Sequence, residues 1–347
     1  MEFSLNQFLI LGAATFILVG GLTPLMRKIA LKIGAVDRPN LARKTQKEPV
    51  PYLGGVAISI GITVASFAAL LYSDFSADTF GKALSVLLPA ILISAMGLYD
   101  DLKNLEPWPR LVAQSIAGVA VAIYLIENDI LGQAFNNLIL NYVITIFWIV
   151  GICNSINFFD NHDGGASGTV AVISVFLFAI AFNQGQLLVS ALAVVTAGAT
   201  LGFLIWNKSP AKIYMGDAGA LFLGVIIGVL TIQLKPEVAP QWRSLSIPLL
   251  LMAVPILDTT TVVISRLSRG ISPFTGGRDH LSHRLVRKGF ERRVTAYVLW
   301  GMAAAFGSVA FLACCVTSTL AVPAIYLAGA IWVLLLITFL RIPATDQ

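Results

Sequence analysis

The chain has 347 residues, of which 57% are hydrophobic and only 12% charged, with a formal net charge of +5 and a mean hydropathy of +0.84. A water-facing surface calls for about a quarter charged residues, so a soluble enzyme is excluded, and disorder, a collagen repeat, a coiled coil and a disulfide scaffold fail with it. What remains is an integral membrane protein, in which a basic excess reads as orientation and contact with anionic head groups rather than with nucleic acid.

Apolar runs of about 20 residues recur along the chain. They predict eleven spans near 5–25, 53–73, 82–99, 111–126, 138–156, 168–183, 187–206, 217–234, 245–265, 294–315 and 319–340. The first lacks a basic leader region and reads as a helix rather than a signal peptide. The expected fold is therefore all-α, one polytopic membrane domain over 1–347. With the N-terminus outside, the segments 26–52, 100–110, 157–167, 207–216 and 266–293 fall inside. Of the 23 Lys and Arg residues only Lys82, Lys235 and Arg243 then lie outside, and the positive-inside rule favours N-out, C-in. Cys153, Cys314 and Cys315 sit in or near apolar runs and read as small packing residues.

A carboxylate beside hydrocarbon costs several kcal/mol unless it is hydrated, paired or metal-bound. Here acids gather at the inner ends of the spans: Asp100, Asp101, Asp160, Asp163, Asp217 and Asp258. In GLYDDLKNL the adjacent Asp100 and Asp101 repel unless a cation or Lys103 neutralises them, which points to a divalent-metal or general-base site. In CNSINFFDNHDGGASG, Asn154, Asn157, Asp160 and Asp163 recur every three residues and would line one face of a tight helical turn. His162 alone carries little weight. Asp217, in MGDAGALFLG, reads either as a helix N-cap or as a Mg²⁺ ligand, since that ion takes one or two carboxylates plus phosphates and water. The last basic loop holds Arg278, Asp279, His280, His283, Arg284, Arg287 and Lys288. No cysteine or nearby Glu completes a zinc set, and donors in this number suit a pyrophosphate.

Together DRPNLARKTQKEPVPYLGG, the Asp-Asp pair, NSINFFDNHDGGASG, NKSPAKIYMGDAGALFLG and GGRDHLSHRL resemble the polyprenyl-phosphate N-acetylhexosamine-1-phosphate transferases, in order along nearly the whole chain. The resemblance implies transfer of N-acetylhexosamine 1-phosphate, most of all GlcNAc-1-phosphate, from a UDP-sugar to polyprenyl phosphate. UMP leaves, Mg²⁺ is required with Mn²⁺ as a substitute, and the setting is a bacterial inner membrane, with a homodimer as a candidate assembly. It implies catalytic roles for Asp100, Asp101, Asp160, Asp163 and His280, and metal binding by Asp217 with Asp100 or Asp101. Substrate contacts fall to Lys44, Lys47, Asn154, Asn157, Asn207, Arg278, His283 and Arg284. The first loop is less similar to the peptidoglycan branch, the phospho-N-acetylmuramoyl-pentapeptide transferases. The chain departs from the family pattern at Gln46, where a His is usual, at Ser282 in a motif that commonly reads His-x-His-His, at Asn161 and Gly165 in a stretch that is usually Asp-Gly-x-Asp-Gly-Leu, and at Ala220, where a Ser is usual. None of these is a proposed metal ligand, but they bear on which sugar is recognised.

A phosphate monoester acceptor is largely a dianion at neutral pH, so the main demand is to bring two anions together rather than to supply a base. Two other classes share part of this pattern. A secondary transporter would place its acids near mid-span on broken helices, often in repeats. A lipid-binding scaffold would explain the basic loops but not paired carboxylates at one face.

Overall fold

A computed structural model describes residues 4–37, 49–72, 76–103, 105–132 and 134–344. Among them the chain is helical apart from one small ribbon. In order the elements are α1 (Leu5–Ile33), β1 (Val36–Asp37), β2 (Val50–Pro51), α2 (Gly54–Tyr72), α3 (Ala77–Lys103), α4 (Pro107–Glu127), α5 (Leu138–Phe159), α6 (Gly165–Asn183) and α7 (Leu187–Asn207). There follow α8 (Gly216–Gln233), α9 (Gln241–Leu251), α10 (Ala253–Leu267), α11 (Leu281–Arg287), α12 (Arg292–Cys315) and α13 (Ser318–Leu340). Among the described residues ten helices are long and apolar enough to cross a membrane, and α9 with α10 makes an eleventh when counted as one span. The protein is a polytopic membrane protein, nearly all-helical among the described residues.

The ninth span differs from the continuous helix expected over 245–265. It is bent by 73° between α9 and α10. Pro255 lies in the first turn of α10 and has no N–H to give to Leu251, so the helix restarts at Ala253 instead of running through. Asp100 and Asp101, expected on a loop over 100–110, are instead in the last turn of α3.

Which helices are central does not follow from apolarity. Both α8 and α13 are apolar on every side, yet α8 is the most enclosed span and α13 the least. In a bilayer lipid is as apolar as a neighbouring helix, so close packing decides, and small residues permit it. The helix α8 carries Gly216, Gly219, Gly224 and Gly228 and packs against α2, α3 and α5, whereas α13 is mostly large side chains facing outward. Helix α7 lies similarly between α1 and α6.

The start of α8 is held from two sides. The ribbon pairs Val36 with Pro51 and Asp37 with Val50, antiparallel. From it Pro51 accepts the N–H of Tyr214 at 2.8 Å, while Gly54 and Gly55 donate to Tyr214 and Met215 at 3.0 and 2.8 Å. On the other side is Gly97 of α3, where an added Cβ would stand 2.6 Å from the Asp217 carbonyl oxygen. Only a glycine lets the two backbones approach this closely, and the approach sets Asp217 beside Asp100 and Asp101.

Candidate active site

The end of α3, the start of α4, the end of α5 and the start of α8 meet around three aspartates. Gly216 takes φ +71, a left-handed conformation that turns the chain sharply into α8 and leaves the Asp217 and Ala218 N–H groups unpaired within that helix. Asp101 supplies the acceptors: Oδ1 takes the N–H of Asp217 at 3.0 Å and Oδ2 that of Ala218 at 3.2 Å. The N-terminus of α8 is thus capped by a carboxylate from another helix, where negative charge is favoured.

Asp100 and Asp217 converge on one cation. The Arg110 Nη1 donates to Asp100 Oδ2 at 2.8 Å and to Asp217 Oδ2 at 2.6 Å. Their other oxygens are also held, Asp100 Oδ1 by the N–H of Leu105 at 2.6 Å and Asp217 Oδ1 by Asn157 Nδ2 at 2.8 Å. In the sequence Arg110 is only one of many inner basic residues. A signal was there: it lies in the first turn of α4, where the helix dipole opposes a positive charge, so that carboxylates nearby are needed to hold it.

The turn after α5 flanks this cluster. Asp160 follows the last residue of α5, and burial, with the charges of Asp217 and Asp163 adding to it, pushes its carboxyl up to about 7. Asp163 accepts the N–H of Ala211 at 3.1 Å, tying the turn to the loop before α8. The expected single face of four polar groups is therefore divided. Asn157 reaches Asp217, but Asn154 donates to Gln114 of α4 at 2.5 Å and to Val150 O at 2.8 Å, away from the aspartates. Asn207 is buried and engaged on both sides of its amide. Its Oδ1 accepts from Gly164 N at 3.1 Å and Ser167 Oγ at 2.8 Å, and its Nδ2 donates to Ile213 O at 3.0 Å. In this arrangement it fastens α6 to the 208–215 loop, against the expectation that it contacts substrate.

The histidine loop abuts the same turn. His280 lies edge-on to Phe158 with ring centroids 6.3 Å apart, and Ser282 Oγ donates to Asn161 Oδ1. Asp258, fully buried on α10, accepts the Leu281 N–H at 2.7 Å and meets His280 Nδ1 at 2.8 Å. Burial, then the neighbouring His280, His162, Arg287 and Arg278, lowers His283 to about 3, so that ring is neutral. Arg284 does not face this site. It is among the most buried side chains, and its guanidinium donates to Asp279 O, Phe339 O, Ile342 O and Ser265 Oγ. Its place is to fasten the end of α13 to the loop, against the expectation that it binds phosphate. Arg278 is half-buried next to Asp279, which Arg266 grips with two bonds of 2.9 and 2.8 Å. Lys44 and Lys47 lie outside the described residues.

No group of three or more His, Cys, Asp or Glu side chains among the described residues is arranged to hold a metal. Two carboxylate oxygens on one cationic nitrogen nevertheless fit a hard divalent ion that takes its other ligands from phosphate and water. Asp100 and Asp217 could hold such an ion, and the oxygens of Asp101 face the helix instead.

The comparisons with known proteins bear on the same residues. The model of glycosyl transferase family 4 matches residues 83–235, which include α4 to α8 and all three aspartates. The probable undecaprenyl-phosphate N-acetylglucosaminyl 1-phosphate transferase of Bacillus subtilis (strain 168) is 33% identical over 289 residues, 80% of this chain and 77% of that one. The chain belongs to this family. Another family relative is the decaprenyl-phosphate N-acetylglucosaminephosphotransferase of Mycolicibacterium smegmatis (strain ATCC 700084 / mc(2)155), 31% identical over 336 residues, 88% of this chain and 82% of that one. The phospho-N-acetylmuramoyl-pentapeptide-transferase of Streptococcus thermophilus (strain CNRZ 1066) is 29% identical over 282 residues, 75% of this chain and 79% of that one. The relatives thus include both the N-acetylglucosamine enzymes and the peptidoglycan branch.

Proposed function

We propose that this family 4 transferase moves GlcNAc-1-phosphate from UDP-GlcNAc to a polyprenyl phosphate, at the cytoplasmic face of a bacterial inner membrane, releasing UMP. The observation that carries it is the convergence of Asp100 and Asp217 on a single cationic position, in a chain whose relatives are named for this reaction. An oxygen of the acceptor phosphate attacks the sugar-bearing phosphorus of the donor. The bond from that phosphorus to the UMP oxygen breaks, and a polyprenyl diphosphate sugar results.

Asp100 and Asp217 would hold Mg²⁺. When bound, that ion neutralises pyrophosphate charge and stabilises the charge that builds on UMP. The protein's own residues do the positioning. Asp101 fixes the first turn of α8 and with it the direction of Asp217, and Asn157 orients the carboxylate. Asp160, near neutrality in its titration, can hold or release a proton at its carboxyl beside the cluster. Neutral His283 and the half-buried Arg278 offer donors to phosphate from the neighbouring loop. A soluble nucleotide enters from the cytoplasm while the prenyl tail stays in lipid, which suits a site where spans end.

The broken ninth span is a feature that transporters use. Against that reading, Asp258 beyond the break already bonds His280 and Leu281, and no second broken pair occurs among the described residues. The test is mass spectrometry of lipid recovered after incubating purified protein with UDP-GlcNAc, undecaprenyl phosphate and Mg²⁺. Undecaprenyl diphosphate GlcNAc is expected, and unchanged undecaprenyl phosphate would refute the proposal.

A further inference from the structure

We infer that Arg110 and the divalent ion compete for one position, so that metal is held tightly only once the donor's pyrophosphate has drawn Arg110 away. The inference rests on the metal reading above and extends it to an order of binding. Both Asp100 Oδ2 and Asp217 Oδ2 lie within 2.8 Å of Arg110 Nη1. A Mg²⁺ ion needs its oxygens at about 2.0 to 2.1 Å, so an ion held by both carboxylates takes the point where Nη1 now stands. The guanidinium and the ion cannot share it.

The surroundings allow the exchange. Asn157 and the Leu105 N–H hold the outer oxygens of the two carboxylates, so both acids keep their places when Arg110 leaves. The Arg110 side chain is 25% exposed, so it is not sealed in place. Its charge needs a new partner, because the first turn of α4 repels it. The donor's pyrophosphate is that partner, and a planar guanidinium suits phosphate with two parallel bonds. Metal and donor then raise each other's affinity through Arg110 as well as by direct contact, and the coupling is reciprocal.

The test measures Mn²⁺ bound to purified protein without nucleotide, from the loss of the free Mn²⁺ signal in electron paramagnetic resonance. Arg110→Gln and Arg110→Met both remove the competing charge, and two variants guard against a folding defect in one. Either folded variant is expected to bind Mn²⁺ roughly tenfold more tightly than the unaltered protein, and adding Asp217→Asn to it should abolish that gain. Equal or weaker binding by the Arg110 variants overturns the inference while leaving the metal reading in place. Failure of every protein, unaltered included, to bind Mn²⁺ overturns the metal reading and the inference together.

Discussion

Asp101 receives the backbone N–H of Asp217 at 3.0 Å, so one aspartate of the cluster determines where another points. Adjacent in sequence, Asp100 and Asp101 thereby divide their work: Asp100 turns to Arg110, Asp101 to the start of α8.

Replacing Asp101 by Asn should therefore act through position. The amide keeps one acceptor oxygen but turns an N–H₂ toward a backbone donor and removes a charge from a helix N-terminus, a loss of about 1 kcal/mol in stability. Misplacing Asp217 should lower turnover about 10²-fold. The deficit should be the same at pH 6 and pH 9. Recovery of Asp101→Asn at high pH would identify Asp101 as an obligatory base instead.

Asp160 gives the stability a pH dependence. Its carboxyl titrates near 7 in the folded protein and near the ordinary carboxylate value when unfolded. Between those values the folded state keeps a proton that the unfolded state has lost, so stability falls as pH rises. Relative to Asp160→Asn, the Tm of the unaltered protein in EDTA should fall from about pH 4 to about pH 7 and level off above it. A Tm difference that is flat over this window would place Asp160 in water.

Arg284 separates fastening from substrate binding. Truncation to Ala takes the donor from the buried carbonyls of Asp279 and Ile342 and one of the donors from that of Phe339, at a cost of about 3 kcal/mol. Arg284→Ala should lower Tm by several degrees, while the KM for donor of the folded fraction stays unchanged. A raised KM at an unaltered Tm would restore the phosphate-binding role.

The ten continuous spans were legible because hydrocarbon demands runs of about 20 apolar residues, and little else in a sequence looks alike. The break at Met252 was not, since hydropathy sums across a bend and Pro255 sits where a helix start also tolerates proline. The acids stood out by type and crowding. Their roles did not, because each partner is far along the chain: Gln114 for Asn154, Ser167 for Asn207, the α8 backbone for Asp101. Arg110 was hidden by a sufficient explanation, for the positive-inside rule already accounts for basic residues at that end.

That rule also predicts the sidedness of the site. Single cysteines at Lys288 and Lys235, in an otherwise cysteine-free protein, should label from opposite sides, with Lys235 reached by an impermeant maleimide outside intact cells. Labelling of both from outside would invert the topology and put the aspartate cluster on the wrong face for a cytoplasmic nucleotide.

The central claim is most directly tested by UMP release from UDP-GlcNAc in detergent, measured with and without undecaprenyl phosphate, Mg²⁺ and the Asp217 carboxylate. Release should require acceptor and metal together, and should fall by several decades in Asp217→Asn, which keeps the shape and the α8 turn but loses the charge. Undiminished release by Asp217→Asn, or no UMP from any UDP-sugar offered to the unaltered protein, would contradict the account.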